Sequence, residues 1–168
     1  MMSRCSALQC GSVKPVRLAD PTLSESDLAA LARAAKFVGS SKHKREPLRF
    51  GQQQFTGHRG DATTCDGDAG FLPEHAKYVR NWMARGIRAG LVAGDLRTIW
   101  AVADTGWIFT GRATSEEPER VYHGYPLLPG SPGAQLIYDR FKRWVEQHPK
   151  ARHQNDLKTC ADRYGLRP

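Results

Sequence analysis

A chain of 168 residues, 40% of them hydrophobic, with 16 glycines and 10 prolines, is long enough for one packed core but not for two independent ones. Its 25 Lys/Arg against 17 Asp/Glu leave a formal net charge of +8, which favours a polyanionic partner, nucleic acid before an anionic membrane surface. No run of about 18 apolar residues exists, which excludes a membrane-spanning helix, and no membrane partner is expected.

Residues 1–22 read as a weakly structured lead-in ending at Asp20-Pro21, and residues 23–168 as a single domain. MMSRCSALQCGSVK lacks the continuous apolar stretch of a secretory signal, so the expected location is the cytoplasm, or the cytoplasm of a target cell after delivery. In SESDLAALARAAKFV, Leu28, Leu31, Ala32, Ala35 and Phe37 recur at near-helical spacing. Ser24 and Asp27 form a capping-box pattern, so a helix is expected over about 24–37, ended by Gly39. From Ser40 to Gly70 the glycines, threonines and aspartates leave little regular structure, and a connection this long is commonly functional or disordered.

Pro73 opens a second helix, with Tyr78, Val79, Trp82, Met83 and Ile87 on its apolar face and Lys77, Arg80, Arg85 and Arg88 mostly opposite. RTIWAVAD and GWIFTGRAT, joined by Asp104-Thr105-Gly106, read as a hairpin, and RVYHGYPL as a third strand. Helix returns over about 133–147, with Leu136, Ile137, Phe141, Trp144 and Val145 as its stripe, and over about 155–164. The order predicts an α+β fold. An N-terminal helix and a second helix pack on a small antiparallel sheet of at least three strands in meander order, followed by C-terminal helices.

Between Lys36 and Gly60, six Lys/Arg (Lys36, Lys42, Lys44, Arg45, Arg49 and Arg59) stand against one acid, Glu46, so +5 of the net charge falls there. Clustered cations of this kind suit a phosphate backbone, because neutralising it releases condensed counterions. His43, between Lys42 and Lys44, is expected to have a depressed pKa, so that a neutral imidazole can act as a base near phosphate. In RVYHGYP, alternation puts Val121 and His123 on one face and Tyr122 on the other. Gly124 marks a close approach or a bulge, and a bulge is what would bring Tyr125 to the side of His123. Arg112 and Arg120 can add phosphate contacts, and Trp100, Trp107 and Tyr125 can stack unpaired bases.

Cys5, Cys10, Cys65 and Cys160 contain no CxxC and read as reduced thiols; a zinc site using the first three and a histidine fits the usual ligand spacing poorly. In TTCDGDAG the acids of a full calcium loop are missing, so Asp66 and Asp68 read as a turn; no helix is expected to start at Cys65, which argues against an activated thiolate. Nucleotide-binding glycine loops, HExxH and GxSxG are absent, and neither cofactor nor metal is expected.

A Lys-His step after an N-terminal helix (Lys42-His43), a Phe-Gly further on (Phe50-Gly51), then a basic helix and a small antiparallel sheet resemble the nuclease domains of colicin D-type transfer-RNA toxins. More widely the chain is similar to the barnase–EndoU–colicin–RelE (BECR) group of small metal-independent RNases. The resemblance covers about residues 40–126. Six residues separate His43 from Phe50, a longer interval than the family has, and His123 has no counterpart in the motif and is added on chemical grounds. The resemblance implies helices on a curved antiparallel sheet and a basic cleft where lysine, histidine and arginine act on RNA. The expected function is therefore a metal-independent endoribonuclease, a bacterial toxin cleaving RNA such as tRNA to a 2′,3′-cyclic phosphate. His43, His123, Lys42 and Arg112 are its catalytic candidates. Lys44, Arg45, Arg49, Arg59, Trp100, Trp107 and Tyr125 are its RNA-binding candidates, and an acidic antitoxin or immunity protein is a possible second partner. The alternative is a non-catalytic nucleic-acid-binding accessory protein that uses the same basic loop.

Overall fold

The computed structural model describes residues 16–18, 23–60, 62–114 and 120–168. Most of the expected lead-in, Cys5, Cys10 and the loop 115–119 lie outside them. The elements run α1 (Glu25–Ala34), β1 (Lys36–Phe37), 3-10 turns at Ser41–His43 and Pro47–Phe50, and α2 (Cys65–Ala69). A 3-10 turn at Pro73–His75 leads into α3 (Ala76–Arg88), followed by β2 (Thr98–Val102), β3 (Ile108–Ala113), β4 (Val121–Pro126), α4 (Ala134–Gln147) and α5 (Ala151–Tyr164). The fold is α+β, with the meander β2–β3–β4 and the C-terminal helices in the expected places.

Two differences concern the first element. The capping box forms, with the Ser24 hydroxyl accepting from the Asp27 amide at 3.1 Å and the Asp27 carboxylate accepting from the Ser24 amide at 3.1 Å. The helix stops at Ala34 rather than running to residue 37, because Lys36 and Val38 donate their amides to the carbonyls of Arg120 and Tyr122. Pairing across the sheet overrides the local helical preference. The sheet is consequently mixed, in the order β1–β4–β3–β2, with β1 parallel to β4. The stretch 40–70 is likewise not structureless: it holds two 3-10 turns and the five-residue α2.

Direct cross-strand partners share a face, so Thr98, Arg112 and His123 form one row and Trp100, Thr110 and Tyr125 the next. At the hairpin end of this face, Trp100, Val102 and Ile108 are covered by Ile137, Tyr138, Phe141 and Val145 of α4 and by Leu157, Cys160 and Tyr164 of α5. The Tyr164 hydroxyl accepts from the Ile108 amide at 2.9 Å and donates to the Leu127 carbonyl at 2.5 Å, docking α5 on the sheet. On the other face Ile99 and Tyr122 pack against Ala32, Met83 and Ile87, joining α1 and α3 to the sheet. Each of the larger aliphatic and phenyl side chains buried here contributes on the order of 1.5–3 kcal/mol. Gly86 sits where any Cβ would run into the Trp100 carbonyl and Cα of Ala101. The close approach of α3 to β2 needs the glycine.

Candidate active site

The open end of the α4 face carries the candidate site residues. β4 pairs residue for residue with β3, without a bulge: Arg112 lies opposite His123 and Thr110 opposite Tyr125. Simple alternation therefore puts His123 and Tyr125 on the same side, and the bulge invoked for Tyr125 is unnecessary. Gly124 points the other way, into a close approach: a Cβ there would lie 3.1 Å from the Phe37 ring and 3.4 Å from the Thr110 carbonyl.

The 3-10 turn Ser41–His43 brings the His43 imidazole onto this face. Its ring stacks 5.5 Å from His123, with planes 15° apart, and 4.9 Å from Tyr125. Nδ1 of His43 lies 3.1 Å from the Thr63 carbonyl. A carbonyl only accepts, so Nδ1 carries the hydrogen and the neutral ring presents its lone pair at Nε2. Thr63 is itself anchored to the end of β4, its hydroxyl donating to the Pro126 carbonyl at 3.1 Å. The chain beyond His43 is stapled by Asp66, whose carboxylate accepts from the amides of Arg45 at 2.6 Å and Glu46 at 2.8 Å. Burial pushes the Asp66 carboxyl up, but the amides of Arg45, Glu46 and Gly67 outweigh it and hold it below the ordinary value. The loop that composition left irregular is thus pinned on both sides of the imidazole.

Both histidines are less basic than a free imidazole. For His43, burial is the main cause; the Thr63 hydrogen bond opposes it, and His123, Lys42 and Lys44 add to it. For His123, burial comes first, then Arg112 and Lys42. Burial pushes the Tyr125 phenol up, with Arg112 opposing. Nδ1 of His123 is buried without a hydrogen-bond partner among the described residues, an orphaned polar atom inside the cluster. A charge on His123 adds to the lowering of His43, so protonation of one imidazole disfavours protonation of the other.

Around this pair, Lys42 and Arg112 are exposed, and Arg112 reaches back with Nη1 3.3 Å from the Thr98 hydroxyl. Arg45 is exposed as well, while Arg49 is engaged by Glu46 at 3.4 Å and Arg59 reaches the Ser41 carbonyl at 3.5 Å. Three expected RNA contacts are corrected. Lys44 is only 4% exposed, its ammonium lying 5.0 Å and 5.1 Å from the rings of Phe50 and Phe71, so it is a core cation and not a phosphate ligand. Trp100 and Trp107, 5% and 8% exposed, belong to the core under α4 and α5 and present no ring to a base.

Helix α2 does begin at Cys65, contrary to expectation, yet its thiol is buried and donates to the Gly124 carbonyl at 3.4 Å. Burial pushes Cys65 up, and Cys160 up to about 12, so both are thiols at neutral pH. Asp68, like Asp66, accepts from backbone, here the Thr64 amide at 2.6 Å. Among the described residues no group of three or more His, Cys, Asp and Glu is placed to hold a metal ion. Thr63 and Asp66 were not foreseen as supports: a backbone carbonyl leaves no side-chain signature, and Asp66 reads as an ordinary turn residue. No protein-family model, curated protein or solved structure matches the chain.

Proposed function

We propose that the chain is a metal-independent endoribonuclease, acting as a toxin on RNA such as tRNA. The observation that supports this reading is the stacking of His43 on His123 beside Arg112. The reaction needs a base for the 2′-hydroxyl, an acid for the leaving oxygen and cations for the charged phosphorane. A pair that shares one proton supplies acid and base together. The Thr63 carbonyl favours that proton on His43, whereas Nδ1 of His123 has no hydrogen-bond partner among the described residues. His123 accepts the 2′-hydroxyl proton as O2′ bonds to phosphorus. The P–O5′ bond breaks, and His43 donates its proton to the departing O5′. The products are a 2′,3′-cyclic phosphate and a 5′-hydroxyl end. Lys42, Arg45 and Arg112 neutralise the phosphorane, and the Tyr125 ring lines the same face for a base. An acidic inhibitor protein is the partner such a toxin requires in the cell that makes it.

Incubation of the pure protein with a tRNA pool tests the reading. Shortened RNA with the wild type and intact RNA with His123→Ala support it; salt-sensitive retention of RNA with no products points to the non-catalytic binding module instead.

A further inference from the structure

A group of unpaired cations also lies outside the loop 36–60, where α1, α3, α4 and the start of α5 line a groove of about 1100 Å³. Arg88 comes from α3, Arg140 and Arg143 from α4, and Lys150 and Arg152 from the α4–α5 junction. None of the five has an ion-pair partner among the described residues. A sixth cation, Arg85, is bound to Asp156 at 2.5 Å and donates to the Val102 carbonyl. Of the three acids along the groove, Glu25, Asp104 and Asp156, the last is thereby neutralised.

Two further features belong to a binding surface rather than a solvated face. Trp144 is half-buried in the groove, its ring stacked on Phe141 at 5.8 Å and on His148 at 4.9 Å and tilted against His153 at 5.1 Å, so that three rings hold it in place. His153 is 2% exposed with Nε2 unpartnered, and Arg85 Nε is likewise buried without a partner. Unpaired cations lining one groove are the electrostatic element of a single-strand site, in which they track the phosphate backbone.

We propose that this groove is a second RNA-binding surface, which holds the phosphodiester backbone of a single-stranded segment of the same RNA whose cleavage is assigned to His43 and His123. The proposal rests on that functional reading for its ligand, but it concerns binding and is tested separately. Arg85 anchors at Val102 and Arg112 at Thr98, opposite ends of β2, and His123 lies two strands from β2. Strand geometry then separates the groove from the histidine pair by on the order of 15 Å. An RNA of several nucleotides engages both, whereas a dinucleotide reaches only the histidines.

The test uses the full chain with two probes: an uncleavable 2′-O-methyl oligonucleotide of about 20 residues, read by fluorescence anisotropy, and a dinucleotide, read by cleavage. Arg143→Glu/Arg152→Glu is expected to weaken oligonucleotide binding at least tenfold and flatten its salt dependence, with dinucleotide cleavage unchanged. The control Arg33→Glu/Lys158→Glu makes the same change in net charge on exposed positions outside the groove, and should change binding less than threefold. Equal losses in both variants, or wild-type binding in the groove variant, overturn the proposal. If the wild type cuts no RNA while the groove variant alone loses binding, the catalytic reading fails and the groove stands.

Discussion

The imidazoles of His43 and His123 lie 5.5 Å apart and within 15° of parallel, although eighty positions separate them in the chain. Neither element explains the contact alone: β4 sets the direction of His123, and the Thr63 carbonyl and the Asp66 staple set that of His43. A contact built from three separate segments is the structural basis of the proposed acid–base pair.

Removing either imidazole should therefore abolish the chemistry and spare the binding. His43→Ala and His123→Ala are each expected to slow RNA cleavage by about 100- to 10,000-fold, the usual contribution of a positioned acid or base. The double variant should be little worse than either single one, since the two act as a unit. Single-turnover cleavage rates beside oligonucleotide affinities check both statements.

The pH profile follows from the shared proton. Both imidazoles are lowered from the ordinary 6.5, so the singly protonated pair is depleted as pH rises through their lowered values, below 6.5. We expect kcat/KM to peak below pH 6.5 and to fall about tenfold per unit above its alkaline limb. A profile still rising between pH 7 and pH 8 assigns the acid to another group.

Folding stability should respond to pH in a defined direction. His43, His123 and His153 are all lowered from 6.5, each chiefly by burial, so below that value the unfolded chain binds more protons than the folded one. Their contribution is complete above pH 6.5 and is lost as pH falls toward the folded values. The lowered Asp66 carboxyl acts further down: its contribution is present above the ordinary 3.8 and disappears as pH falls through its folded value. Thermal melts from pH 7.5 to pH 5 should show a falling Tm, with a shallower slope in His153→Gln.

Two substitutions separate the scaffold from the site. Gly86→Ala forces α3 away from the Trp100 carbonyl and is expected to cost about 1–3 kcal/mol of stability. Asp66→Ala leaves the amides of Arg45 and Glu46 without their acceptor. It should lower the cleavage rate more than it lowers Tm, because the loss is local to the turn that carries His43. Denaturant melts and initial rates on the same preparations distinguish the two.

The sequence and the fold agree where one residue pattern decides one element. The 3.6-residue stripe of Ile137, Phe141 and Val145 specifies α4, and the alternation of Val121 and His123 against Tyr122 specifies the faces of β4, which Tyr125 follows without the expected bulge. They part where distant backbone decides: the Arg120 and Tyr122 carbonyls turn Lys36–Phe37 from helix into strand. Composition cannot tell which of two neighbouring cations turns inward, and here Lys44 enters the core between two phenylalanine rings while Lys42 stays outside. The groove arginines were hidden for a related reason. They come from α3, α4 and the α4–α5 junction, and no single stretch of sequence holds them together.

The central claim is that the stacked histidines cleave RNA, and end-group analysis tests it most directly. RNA incubated with the pure wild type without added metal should carry new 2′,3′-cyclic phosphate and 5′-hydroxyl ends, absent with His43→Ala and with His123→Ala. RNA left intact by the wild type, or cut to the same ends by both variants, would contradict the account.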